Sequence, residues 1–142
     1  MGLINSVTCK NKNCRYHAEL YEGPGMIGFA KMLRYRDAIL SGEIKNEDVK
    51  KRLQNGAEIN TRAAYLCPDC RKFLNDNTYY LKENFVKSPF GTVRYDVSFP
   101  FGKPVCPDCG AELIYIDNIR SGKVKCPKCG GDLKAKHIGY VD

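Results

Sequence analysis

Eight cysteines fall into four close pairs along this chain: Cys9 with Cys14, Cys67 with Cys70, Cys106 with Cys109, and Cys126 with Cys129. No other feature restricts the fold as much. Two thiols on one tight turn aim their sulfurs at a common point, and a second such turn completes the four donors of a closed tetrahedral metal site. The chain has 142 residues, enough for one ordinary domain or for two small ones that need metal to be stable. Clustering in pairs favours metal thiolates over disulfides in a reducing compartment.

The third and fourth pairs read Cys106-Pro-Asp-Cys109-Gly110 and Cys126-Pro-Lys-Cys129-Gly130. Proline presets φ for the turn, and glycine after the second cysteine lets the backbone fold back toward the sulfurs. The sixteen residues between these pairs suit a short β-hairpin, which predicts one site made of Cys106, Cys109, Cys126 and Cys129. Residues 112–116 and 124–125 are the expected hairpin strands, turned at 118–122, with a third strand over 132–137. Residues 103–142 then form a C-terminal zinc ribbon.

The first two pairs leave Cys9, Cys14, Cys67 and Cys70 for an N-terminal zinc ribbon with a long helical insertion. Apolar residues Phe29, Met32, Leu33, Ile39 and Leu40 recur at helical spacing, so a helix is expected over 27–40, ending at Ser41-Gly42. A second is expected over 47–55, with Asn46 as N-cap and Gly56 beyond its end. Residues 78–82 and 93–99 are rich in β-branched and aromatic types and should be strands. Pro and Gly cluster at Gly102-Lys103-Pro104, which places a boundary there. The expected fold is thus α+β, with a zinc-binding unit at 1–102 followed by the ribbon at 103–142.

Other candidate groups carry weaker chemistry. Cys14-Arg-Tyr-His17 is ligand-spaced, so His17 is a possible substitute donor, although a surface histidine is the simpler reading. His137 has no acidic partner or nucleophile spaced near it and reads as structural or exposed. Gly23-Pro-Gly-Met26 lacks the Lys-Ser/Thr ending of a phosphate loop and reads as a turn feeding a helix. Lys31, Arg34 and Arg36, and Lys50, Lys51 and Arg52, are explained as solvated helix faces. Lys123, Lys125, Lys128, Lys134 and Lys136 lie near Tyr115 and Ile138, a mixture suited to single-stranded nucleic acid. Interleaved Asp108, Glu112, Asp117 and Asp132 weaken that case.

The formal net charge is +7, but zinc-bound cysteines are thiolates. Eight thiolates subtract eight charges and two divalent ions restore four, leaving +3, a weak argument for a polyanionic partner. Apolar residues at 43% and charged residues at 27% give a globular balance without a low-complexity tract. No apolar run is long enough for a membrane span and the first residues are too polar for a secretory signal, so a cytoplasmic location is expected.

The stretch from Cys14 to Met26 (CRYHAELYEGPGM), then Tyr65-Leu-Cys-Pro-Asp-Cys70, then a late Cys-Pro-x-Cys-Gly, resembles uncharacterised bacterial zinc-ribbon proteins. The resemblance covers most of the chain. It implies a site of Cys9, Cys14, Cys67 and Cys70 around a helical insertion, and it implies no catalyst. A closed four-thiolate site has no position for an activated water. The expected function is a zinc-binding, non-enzymatic interaction module with two Zn2+ per chain and a protein or nucleic-acid partner. A rubredoxin-like iron redox protein is the alternative, because iron accepts the same tetrahedral thiolates. The sixteen-residue gap counts against it.

Overall fold

A computed structural model describes residues 2–141. Strand β1 is Gly2–Cys9 and β2 is His17–Glu22; helix α1 is Gly25–Ser41 and α2 is Glu47–Gln54. Strands β3 (Glu58–Cys67), β4 (Lys72–Lys87), β5 (Val93–Ser98), β6 (Ile114–Tyr115) and β7 (Leu133–Val141) follow, with a short 3-10 turn over Ile119–Ser121. The fold is α+β, as expected. Its strands form one sheet in the order β2-β1-β7 and another in the order β5-β4-β3-β6.

The chain divides into two compact units. The first gathers 1–27, 62–78 and 104–142, and the second gathers 28–61 and 79–103. The division is therefore not the sequential 1–102 and 103–142 expected from the Pro/Gly cluster. Only the crossing at Lys103/Pro104 falls where that cluster lies.

In the first unit, Val7, Leu20, Ala64, Phe73, Ile116 and Ile119 form a buried cluster. A second cluster of Tyr65, Cys67, Cys106 and Leu113 is buried beside the cysteines it contains. Gly2 sits against the turn before α1, where an added Cβ would lie 2.9 Å from both the Gly23 oxygen and the Gly25 nitrogen. Gly23 and Gly25 both take positive φ, so the Gly-Pro-Gly segment is the tight turn its composition predicts.

In the second unit, Met32, Ile39, Val49, Ile59 and Leu81 make the core. The helix expected over 27–40 is present as α1, but of its expected apolar face Phe29 and Leu40 are exposed. Met32 and Ile39, two turns apart, carry the burial. Helix α2 starts as predicted: Asn46 caps it, its side chain accepting from the Val49 amide at 3.2 Å. Arg52 of α2 donates from Nε to Glu83 Oε2 at 3.1 Å and also meets Asp48 and Ser98.

Strand expectations met mixed outcomes. Residues 78–82 lie inside the longer β4, and 93–99 correspond to β5. The hairpin of 112–116 with 124–125 does not form. Only Ile114–Tyr115 is a strand there, and it pairs with β3 through Tyr65↔Tyr115 and Leu66↔Ile114. The third expected strand exists as β7, but its partner is β1, with Cys9↔Leu133 at one end and Gly2↔Val141 at the other. Strands β1, β2 and β3 were not anticipated from the sequence.

Candidate metal centres

The sheet pairings decide which knuckles meet. Antiparallel pairing of β1 with β7 ends at Cys9↔Leu133, beside the Lys10 amide, which donates to the Asp132 carbonyl at 2.9 Å. That brings the Cys9/Cys14 pair to Cys126/Cys129. Pairing of β3 with β6, together with the Val105↔Glu112 bridge, brings Cys67/Cys70 to Cys106/Cys109. The groups are therefore Cys9, Cys14, Cys126 and Cys129, and Cys67, Cys70, Cys106 and Cys109.

This corrects the expected partition. All eight candidate cysteines participate, but Cys9/Cys14 do not join Cys67/Cys70, and Cys106/Cys109 do not join Cys126/Cys129. The sixteen residues between Cys109 and Cys126, expected as a ribbon hairpin, instead connect one group to the other. His17 stands outside both groups, exposed on β2 opposite Thr8. His137 turns its ring Nε2 to the Gly139 carbonyl at 2.8 Å and stacks edgewise on Tyr140.

The sulfurs of each group lie within 4.8 Å of one another. In the first, Cys9 and Cys129 are 3.4 Å apart and Cys14 and Cys126 are 3.8 Å apart. In the second, Cys67–Cys109 is 3.5 Å and Cys70–Cys106 is 3.9 Å. A tetrahedral ion with metal–sulfur bonds of about 2.3 Å sets its sulfurs about 3.8 Å apart. A disulfide requires about 2.05 Å, and all eight thiols are free. The donor chemistry and spacing fit two metal ions.

Each knuckle is built by local backbone geometry. Gly110 and Gly130 adopt φ of 76° and 75°, and their amides donate back to the carbonyls of Cys106 at 2.9 Å and Cys126 at 2.8 Å. The Cys67 knuckle lacks that glycine. Arg71 takes its place at φ 55°, and its amide donates to the Cys67 carbonyl at 3.0 Å. At Cys9 the longer gap is taken up by Asn11, whose Oδ1 accepts from the Asn13 amide at 3.1 Å and whose carbonyl accepts from Cys14 at 3.0 Å.

Amide donors also point at sulfur: Asn11 at Cys9 (3.4 Å), Cys70 at Cys67 (3.3 Å) and Gly131 at Cys129 (3.4 Å). They stabilise thiolate charge without supplying a ligand. The amides of Asp108 and Cys109 hold the Cys106 thiol down at about 7. The Gly131 amide, with Cys9 next, holds Cys129 at about 7. Cys70 is pushed up to about 12 by the sulfurs of Cys109 and Cys67 and by desolvation. Against the lowering effect of the Asn11 amide, desolvation and the neighbouring thiols take Cys9 up to about 12. Four sulfurs this close cannot all ionise alone; a bound cation supplies the charge that lets them.

Three supporting residues went unpredicted. Asn11 reaches Cys129 Sγ with its Nδ2 at 3.8 Å. At Gly131 a Cβ would lie 3.3 Å from Cys129 Sγ, so the glycine leaves room for sulfur. Arg71 donates from Nε to the Pro127 carbonyl at 3.0 Å and also reaches the Lys128 carbonyl. The Gly-Gly pair after Cys129 was the legible signal for the second; the others depend on which knuckles meet.

No protein family, curated protein or solved structure matches the chain. Among the described residues, no helix is long and apolar enough to cross a membrane.

Proposed function

We propose that the chain is a non-enzymatic interaction module braced by two structural Zn2+ ions, one in each four-cysteine group. The observation that carries this reading is the closure of both groups: four thiols at tetrahedral spacing within 4.8 Å leave no ligand position for substrate or water. Zinc fits because it takes four thiolates without geometric strain and without redox change.

The partner is a protein or a nucleic acid. On β7, Lys134, Lys136, Ile138 and Tyr140 are all exposed, which aligns two charges, an apolar side chain and a ring along one strand. Such a row favours a single-stranded nucleic acid if the partner is a polyanion. Lys125 is already paired with Asp132 at 2.6 Å and contributes less.

A rubredoxin-like iron protein is the second reading. It gains from the corrected grouping, because the sixteen-residue gap that counted against it joins two different centres. Amide-to-sulfur bonds such as Cys70 to Cys67 at 3.3 Å also suit a thiolate redox site.

Native mass spectrometry with elemental analysis on protein purified without chelator tests both. Two zinc ions per chain and a colourless preparation support the module. Red protein containing iron supports the redox reading and defeats the first. Reproducible turnover that tracks with named side chains defeats the non-enzymatic assignment.

A further inference from the structure

Strand β5 closes one side of its sheet in the order β5-β4-β3-β6. Natural edges are often blunted by proline, by charged side chains or by a bulge, and of these devices β5 itself carries only two charges of opposite sign, Arg94 and Asp96. The sequence of β5, VRYDVS, contains no proline, and the register shift of this hairpin lies on β4, between Glu83 and Val86. Val93, Tyr95 and Val97 are 48%, 43% and 37% exposed.

The hairpin geometry shows where the peptide groups point. The Ser88 amide donates to the Thr92 carbonyl at 2.7 Å, making 88 and 92 a hydrogen-bonded pair. Val86↔Arg94, Glu83↔Asp96 and Leu81↔Ser98 continue the ladder. Backbone groups alternate sides along an antiparallel strand. Arg94, Asp96 and Ser98 therefore direct theirs to β4, and Val93, Tyr95 and Val97 direct theirs to the open edge.

We propose that β5 pairs with β5 of a second copy of this chain, antiparallel and centred on Tyr95. Only registers that pair odd residues with odd residues use the outward groups. In the one centred on Tyr95, Val93 faces Val97 of the second copy, Tyr95 faces Tyr95, and Arg94 faces Asp96, whose Oδ2 also accepts from Asn84 Nδ2 of its own hairpin at 2.9 Å and whose Oδ1 is left for the arginine. The two ion pairs follow from two-fold symmetry. Shifting the centre to Arg94 sets arginine against arginine, and shifting it to Asp96 sets aspartate against aspartate. Opposite charges across non-hydrogen-bonded positions stabilise a strand pair and like charges oppose it. Among these three most fully overlapping registers, the charges of β5 favour the one centred on Tyr95.

Sedimentation equilibrium on the metal-loaded full chain, combined with amide hydrogen exchange over a concentration series, tests this. The expected result is a concentration-dependent doubling of the 16.0 kDa mass, with the amides of Val93, Tyr95 and Val97 gaining protection as dimer forms. Arg94→Asp or Asp96→Arg alone should weaken the dimer roughly tenfold or more, and the double exchange should restore it. Val97→Pro removes an outward amide while sparing the β4 ladder, so it should give a folded monomer. A wild-type chain that stays monomeric at every concentration, or a dimer indifferent to Val97→Pro, overturns the proposal.

Discussion

The guanidinium of Arg71 donates to the carbonyl of Pro127 at 3.0 Å, so the residue that closes the Cys67–Cys70 knuckle also holds the knuckle of the other centre. Arg71 does this from φ 55°, a region that costs a non-glycine residue about 1 kcal/mol. Two effects therefore oppose each other at one position. Arg71→Gly relieves the backbone and loses the bonds to Pro127 and Lys128, and should change stability by less than about 1 kcal/mol. Arg71→Ala keeps the strain and loses the bonds, and should cost about 1–2 kcal/mol. Denaturant melts of the metal-loaded variants check the order; alanine outperforming glycine would contradict it.

Metal counting on double variants distinguishes the nested grouping from the sequential one. Cys14→Ser with Cys126→Ser removes two ligands from a single group and should leave one ion bound. Cys14→Ser with Cys67→Ser damages both groups and should leave none or nearly none. The sequential partition predicts the reverse. If the ion is the proposed zinc, which as a structural metal supplies about 10 kcal/mol or more of folding free energy in small metallodomains, the damaged centre should also lose its fold.

The Arg52–Glu83 pair should make the second unit acid-sensitive. The Arg52 hydrogen bonds hold the Glu83 carboxyl below its ordinary range, outweighing desolvation, with Ser98 adding to the effect. A carboxylate depressed in the folded state stabilises above its unfolded pKa of about 4.3. That contribution is lost as pH falls below this value through the lower folded one. With side-chain exposures of 27% for Arg52 and 20% for Glu83, the pair should contribute about 1 kcal/mol after allowance for solvent. Thermal melts of Glu83→Gln should differ from wild type at neutral pH and converge with it in acid. A constant difference across the range would refute the linkage.

Asn46→Ala should destabilise α2 by about 1 kcal/mol, because the Val49 amide then loses its acceptor at the helix start. Asn46→Asp or Asn46→Ser should retain most of the stability. Chemical denaturation followed by circular dichroism reads both; an alanine variant as stable as wild type would show that the cap contributes nothing.

The legible parts were those governed by neighbours a few residues apart. The Asn46 cap and the helix behind it need only one turn of chain, and they appeared as expected. Likewise Cys-Pro-x-Cys-Gly specifies its own turn, and Gly110 and Gly130 took the left-handed conformation the motif requires. The N-terminal strand was missed because Asn5, Ser6 and Thr8 dilute its apolar alternation; its strand character comes from lying between β2 and β7.

From the sequence alone came the donors: eight thiols in four knuckles, enough for two four-sulfur groups, with two helices, the second capped by Asn46, between the first and second knuckles. Tertiary structure alone decided the partners. Four knuckles can be joined in several ways, and each knuckle's local chemistry is the same in all of them. The choice rests on β1 pairing with β7 and β3 with β6, contacts between segments far apart in the chain. Burial of the Val7, Leu20 and Phe73 cluster stabilises that arrangement, and no window of neighbouring residues contains the information.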